Sequence, residues 1–316
     1  MILSELLSQV DEGRLRETLR ALEGPRHPRA APRALERAES LIADEFSALG
    51  IVTQRQPFQL RGASYNNVVG TLPGSDPELP WVLLGAHFDT VSSTPGADDN
   101  GSGVAVLLEV ARHAVQLEPR RTVQFVGFNL EEPQDMLGTY RVGSGRFAAQ
   151  ARRQGHRYVG ALVLEMVGYT DSTPGAQQIP PLVFKRIPDT GTFLVAVGDR
   201  RSHRLLNSFE RAARRHVPEL DVVTYRTRLR GWLLPLTRLS DNASFWDRGY
   251  PSLMITDTAF LRNPHYHMPS DRADTLDYGF MKRVAKAVLA AIAELAECRV
   301  QGQGGFEKAG TESAEA

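Results

Sequence analysis

The stretch GAHFDTVSSTPGADDNGSG, residues 85–103, follows the apolar run WVLL and decides how the rest of the chain is read. It places His87 and Asp89 two residues apart at the end of a strand-like run, then sets Asp98 and Asp99 in the loop beyond. Each piece alone has an ordinary explanation: D-N-G is a turn signal, and a polar residue before GVAVLLEVA caps a helix. A chemical reading needs other polar groups to fall at the same place in the architecture.

Working outward, WVLLGAHF reads as a strand, GVAVLLEVARHAVQ as a helix, TVQFVGFNL as a strand, GRFAAQARRQ as a helix and YVGALVLEMVGY as a strand. A Pro- and Gly-rich loop over 172–191 leads to TFLVAVGD, the helix SHRLLNSFERAARRH, the short strand PSLMITDT and a terminal helix from about Leu276 to Cys298. Upstream, amphipathic helices around 2–22 and 32–49, separated by GPRHPRAAP, precede the alternating strands IVTQRQPFQL and NNVVGTL. Near-continuous apolar strands alternating with helices predict an α/β fold whose largely parallel sheet is covered on both faces. We expect a single catalytic domain over 1–299 and, because QGQGGFEKAGTESAEA has no periodicity and few apolar groups, a disordered tail over 300–316.

The 316 residues are 42% hydrophobic and 23% charged with a formal net charge of zero, which gives no electrostatic reason to expect a nucleic-acid partner. The basic stretches RAARRH (211–216) and YRTRLR (225–230) are short and read as solvated faces. A lone cysteine, Cys298, excludes an intrachain disulfide. The N-terminus carries acids and helically spaced leucines, unlike a signal peptide, and no run approaches the roughly 18 apolar residues of a membrane span. The expectation is a soluble cytoplasmic protein with no membrane partner.

Ligands of such a sheet bind at the carboxyl ends of its strands. His87 and Asp89 end one strand, Glu131 and Glu132 follow the next, and Glu165 lies late in a third. His267, with His265 as its rival, comes in RNPHYHMPSD shortly after PSLMITDT, and Asp98 sits in the loop entering a helix. Glu165 is hard to explain as structure, because a carboxylate within ALVLEMVG would be buried without a partner. Carboxylates crowded together repel, and divalent cations offset that repulsion. Histidine with carboxylate oxygen is a donor set suited to zinc, so the inference is a cocatalytic metal site.

In their order, HFDT, PGADDNGSG, NLEEP, LEMVGY and PHYHMPSD resemble the zinc aminopeptidase family M28, over a stretch running from GPR at 24–26 to Leu276. The resemblance implies a central mixed sheet, two zinc ions, and hydrolysis of peptide bonds, usually at a free N-terminus. By motif it implies that His87 binds one zinc and that Asp98, the first acid of G-A-D-D, bridges both. Glu132 and His267 would hold the second zinc, and Glu165, where many relatives carry aspartate, would complete the first. Asp89 would accept a hydrogen bond from the ring of His87. Glu131 would be the general base, taking a proton from water and returning it to the leaving amine. Tyr266 is similar to a tyrosine that hydrogen-bonds the oxyanion, the Asp98–Asp99 bond to one that is cis in relatives, and Arg262 and Asn263 would line the substrate pocket. Asp241-Asn242 departs from a frequent Asp-His and bears on recognition, since no implied ligand depends on it.

The related family M20 inserts a lid before its last histidine; the 102 positions from Glu165 to His267 already hold main-sheet elements and leave little room for one. A glutaminyl-peptide cyclase on the same fold and a metal-free scaffold member remain alternatives. The reading is a zinc-dependent exopeptidase acting on peptides, most simply an aminopeptidase, with loops 172–191 and 225–240 shaping its side-chain pocket.

Overall fold

Apolar side chains on both faces of the central strands require the sheet to be covered twice, and period two sorts them. The computed structural model describes residues 2–134, 139–181, 183 and 185–300. Two short helices, α1 (Leu3–Ser8) and α2 (Glu12–Leu22), replace the single one expected over 2–22. The break comes at Asp11, whose carboxylate accepts the Arg14 N–H at 3.0 Å and starts α2 as its cap. Helix α3 (Pro32–Ala48) opens on proline, whose missing N–H costs nothing at that position. Strands β1 (Val52–Leu60) and β2 (Ala63–Leu72) form a hairpin, and β3 (Trp81–His87) leads through a wide turn at Ala97–Ser102 into α4 (Gly103–Ala114). Then follow β4 (Leu117–Glu118), β5 (Val123–Phe128), α5 (Val142–Arg153), β6 (Tyr158–Glu165), β7 (Leu194–Gly198), α6 (His203–His216), β8 (Val222–Arg226), α7 (Asn242–Asp247), β9 (Ser252–Thr256), α8 (Tyr278–Leu295) and β10 (Arg299–Val300), which pairs with β4. The tail expected over 300–316 lies, from residue 301 on, outside the described residues.

The main sheet runs β1-β2-β5-β3-β6-β9-β7-β8. Neighbours β5/β3, β3/β6, β6/β9 and β7/β8 are parallel, whereas β1/β2, β2/β5 and β9/β7 are antiparallel. The fold is therefore the expected α/β arrangement around a mixed sheet. Because β3, β5, β6 and β9 point the same way, their carboxyl ends share one edge.

On one face Val82, Leu84, Leu162, Leu164, Leu253 and Ile255 pack with α2, α3, α4, α6 and α8 in the largest core cluster. On the other, Leu83, Ala161 and Val163 meet Phe147 of α5 and Phe245 of α7. His87 and Glu165 share the parity of Leu83 and Val163, so they leave their strands toward the α5/α7 face. Gly85 sits in that layer because a Cβ there would lie 2.4 Å from the Phe128 ring. Among the described residues no helix is long and apolar enough to cross a membrane.

Helix α2 is tied to α4 by Glu109, which accepts from Arg14 at 2.7 and 3.0 Å and from the Asp11 N–H at 2.9 Å, with His113 Nε2 at 3.0 Å. Burial favours the neutral acid, but His113 and Arg14 outweigh it and hold the carboxyl down to about 2. Glu109→Gln should therefore lower unfolding free energy at pH 7 by about 2 kcal/mol in urea titrations. A depressed carboxyl stabilises the fold above its ordinary value of 4.5 and loses that contribution as pH falls toward about 2. The gap between variant and parent should close over that interval; a gap independent of pH would refute the role.

Candidate active site

Four strand ends converge on two overlapping groups of donors: His87, Asp99 and Glu165, and Asp99, Glu132 and His267, each with its ligand atoms within 4.8 Å of one another. Asp99 belongs to both. Its Oδ1 faces His87 Nε2 at 3.5 Å and its Oδ2 faces His267 Nε2 at 3.1 Å. Glu165 Oε2 lies 3.4 Å from His87 Nε2, and Glu132 Oε2 lies 3.3 Å from His267 Nε2. Glu131 stands beside them, with Oε2 3.9 Å from His87 Nε2.

The expectation for Asp98 is corrected by this geometry. Its Oδ1 accepts the Gly168 N–H at 3.0 Å and its Oδ2 accepts the Asn263 amide at 2.7 Å, so it faces away from both histidines. Adjacent aspartates point to opposite sides of the loop, and it is Asp99 that enters the cluster. The cis peptide is displaced by the same single residue, to Asp99–Asn100. Arg262 and Asn263 are also internal: Arg262 donates to the Phe193 carbonyl at 2.9 Å and to Gln177 at 3.0 Å, and neither residue borders the cleft.

Asp89 works mainly through the backbone. Its two oxygens accept the N–H groups of Glu131 at 2.9 Å and Glu132 at 3.1 Å, which sets both glutamates after β5. His87 Nδ1 lies 3.3 Å from the Asp89 carbonyl and 3.5 Å from its Oδ1. Asp271, which the sequence reading passed over, does the same for the loop by accepting the N–H groups of Asp98 at 2.8 Å and Asp99 at 3.1 Å. Ser240 donates to Glu165 Oε2 at 2.6 Å and so holds the longer carboxylate. Arg26, only 2% exposed, gathers carbonyls of Leu22, Gly24, Phe88, Pro95 and Gly96 and fixes the approach to the wide turn. Gly96 there has φ of 63°, and a Cβ would meet the Asp99 carbonyl at 2.6 Å. Leu130, Met166 and His267 hold left-handed φ of 56°, 49° and 58° beside the site, where non-glycine residues settle only under tertiary constraint.

The electrostatics follow from burial. Desolvation pushes Glu132 up to about 8, with Asp99 adding to the effect, and raises Glu131 well above the usual carboxyl range. Burial opposes charge on His87 and His267, yet the facing carboxylates prevail: His87 rises well above its usual value and His267 to about 10. The facing carboxylates therefore favour positive charge at these rings. Buried Nε2 of His87, Nε2 of His267, Oε1 of Glu131 and Oε1 of Glu132 make no normal hydrogen bond among the described residues. Imidazole nitrogens and carboxylate oxygens left free in this way fit divalent cations. Tyr266 stacks on His267, with ring centroids 3.9 Å apart, and burial keeps its phenol protonated.

A cleft of about 380 Å³ opens beside the cluster. Segments of the loops at 172–191 and 225–240 border it, through Gln177, Ile187, Leu234 and Thr237 among others. The side chain of Asn242 lies outside it and donates to the Thr237 carbonyl at 3.0 Å, which anchors that border.

The model of peptidase family M28 matches residues 67–292. The chain belongs to this family. It is thereby a peptide hydrolase by descent. It is similar to "Uncharacterized protein YfbL" of Escherichia coli K12, with 36% identity over 87% of this chain and 85% of that protein. It is 30% identical to leucine aminopeptidase 1 of Trichophyton equinum, over 73% of this chain but only 58% of the relative's length. Among solved structures, the LapA aminopeptidase of Legionella pneumophila superposes with a TM-score of 0.72 at 21% identity, over 93% of this chain and 74% of that one. The glutaminyl cyclase of Fimbriiglobus ruber gives 0.66 at 20% identity, over 90% and 95%. At these identities the two structures speak for the M28 fold.

Asp89→Asn leaves one acceptor where two backbone N–H groups need it. Divalent-cation affinity, read by competition with a chelating dye, should fall about tenfold or more. An unchanged affinity would show that the Asp89 clamp does not position the glutamates.

Proposed function

We propose that the protein is a zinc-dependent aminopeptidase. The observation that carries this reading is the placement of Asp99, with one carboxylate oxygen toward each histidine and Glu131 alongside. His87, Asp99 and Glu165 would hold one zinc, and Asp99, Glu132 and His267 the other. Bound there, the ions would polarise the scissile carbonyl and acidify water. Glu131, whose Oε1 is buried with no hydrogen-bond partner among the described residues, acts as general base, accepts the proton from the attacking water and delivers it to the leaving amine as the C–N bond breaks. Tyr266, kept protonated, donates to the oxyanion that forms at the attacked carbonyl. Asp89 and Ser240 hold Glu131, Glu132 and Glu165 in place. The cleft receives the side chain of the N-terminal residue, and the acidic surroundings of Glu165 suit its free ammonium group.

Two measurements test this. Incubated with zinc-loaded protein, a peptide pool containing free, N-acetylated and N-terminal glutamine members should lose single N-terminal residues from free peptides only, and chelator should stop it. C-terminal trimming, or loss of ammonia from glutamine peptides alone, would overturn the aminopeptidase reading; the latter would indicate the cyclase. Glu131→Gln should lower kcat by about 10³ while zinc content stays the same; a fully active variant would remove Glu131 from the mechanism.

A further inference from the structure

The segment between β8 and α7 carries an exposed surface that the proposed reaction does not use. Residues 222–240, VVTYRTRLRGWLLPLTRLS, contain four arginines and no acid. Folding sorts them by direction. Thr227, Gly231, Leu234, Thr237 and Arg238 are buried, and Leu234 and Thr237 border the cleft. Arg226, Arg228, Leu229, Arg230, Trp232 and Leu233 are exposed. Leu229 and Trp232, 68% and 66% exposed, are the most exposed large apolar side chains among the described residues, and Leu233 is 51% exposed.

The outer side chains are held from beneath. Arg238 donates to the Arg230 carbonyl at 2.7 Å and to both Asp247 oxygens at 2.9 Å, and its guanidinium carbon lies 4.2 Å from the centre of the Trp232 ring. The N–H groups of Gly231, Trp232 and Leu234 close successive turns on the Arg228, Leu229 and Gly231 carbonyls at 2.9, 3.2 and 3.0 Å. Leu229, Arg230 and Gly231 hold left-handed φ of 47°, 54° and 91°. Leucine and arginine keep that conformation only where surrounding contacts over-determine it. Tight turns over 226–233 thus keep the exposed arginines and apolar groups together on one small surface.

We propose that this loop docks the protein on an anionic lipid surface, with Leu229, Trp232 and Leu233 entering the headgroup boundary and Arg226, Arg228 and Arg230 facing the lipid phosphates. Apolar side chains set among basic ones suit such an interface, where tryptophan is a preferred residue. Arginines close to anionic lipid each add to binding. These three form no ion pair among the described residues, so their charge is open to a partner. A second copy seated across a two-fold axis would set arginine against arginine. Single-stranded nucleic acid calls for open aromatic faces, but Arg238 already covers one face of Trp232 and leucines offer none. The expectation of no membrane partner came from the absence of a spanning run, which does not test for a peripheral patch.

The test is co-sedimentation of the full-length protein with vesicles, either of phosphatidylcholine alone or of equal parts phosphatidylcholine and phosphatidylglycerol. Partitioning to the anionic vesicles should be about tenfold stronger or more, and should weaken as NaCl is raised. Arg226→Gln, Arg228→Gln and Arg230→Gln combined should remove that preference, about fivefold per arginine, and Trp232→Ser should lower anionic partitioning about tenfold. Circular dichroism checks that each variant is folded. Equal partitioning to both vesicles, or none, overturns the proposal, as does binding that both variants retain in full. Self-association in sedimentation velocity, or retention on poly(U), without vesicle binding overturns it in favour of a second copy or a nucleic acid. The readout does not involve peptide hydrolysis, so its failure leaves the aminopeptidase reading intact.

Discussion

Burying many carboxylates at one sheet edge is the constraint on which the rest of this structure depends. Asp89, Asp98, Asp99, Glu131, Glu132, Asp241, Asp257 and Asp271 are all nearly inaccessible. An unpaired buried anion costs several kcal/mol, so each needs a donor, a proton or a cation. The fold answers first with backbone N–H groups: Asp89 takes two, Asp271 takes two, Asp257 accepts from Tyr169 and Ala259, and Asp98 accepts from Gly168. Such bonds stabilise the ionised form without adding a charge. They also dictate the loops, because a turn that offers two successive N–H groups to one carboxylate has little freedom left.

What the backbone leaves unpaired is as informative as what it pairs. Within this ring of acids, Glu131 Oε1, Glu132 Oε1, both Asp241 oxygens and the Nε2 atoms of His87 and His267 make no normal hydrogen bond among the described residues. Arg26 strengthens the ring from behind: its guanidinium is spent on carbonyls, and burial lowers its pKa to about 10 even though Asp271 and Asp89 favour its charge. A structural acid cluster would be neutralised internally. Here Glu131, Glu132 and His267 border the cleft, and Glu132 Oε2 lies 3.3 Å from His267 Nε2 and Glu131 Oε2 3.9 Å from His87 Nε2.

Most of the site was legible because it follows from strand ends. His87 and Glu165 are the last residues of β3 and β6, Glu131 and Glu132 follow the end of β5, and His267 lies in the loop beyond β9. Asp98 and Asp99 were not separable on that basis, since they are the same residue type in adjacent positions of one loop. Their difference arises from partners distant in sequence, Asn263 and Gly168 on one side and the two histidines on the other. Ser240 and Asp271 were missed for the same reason, because a serine or aspartate in a polar segment carries no local mark of what it will touch. Arg262 looked like a lining residue from its place near His267, but the loop turns its guanidinium inward to the Phe193 carbonyl.

By itself, the sequence determined the alternation of strands and helices, the edge at which polar groups gather, and the membership of the chain in its family. These are local properties: hydrophobic period, turn chemistry, and motifs of a few residues. Only the tertiary structure decided which aspartate joins the histidines, how the sheet continues past β9 through an antiparallel β7 to β8, and that Phe193, Val195, Val197 and Met254 gather there with Trp246 in an apolar cluster of their own. Strand order and side-chain partners depend on contacts between segments far apart in the chain, and local propensity has no access to them.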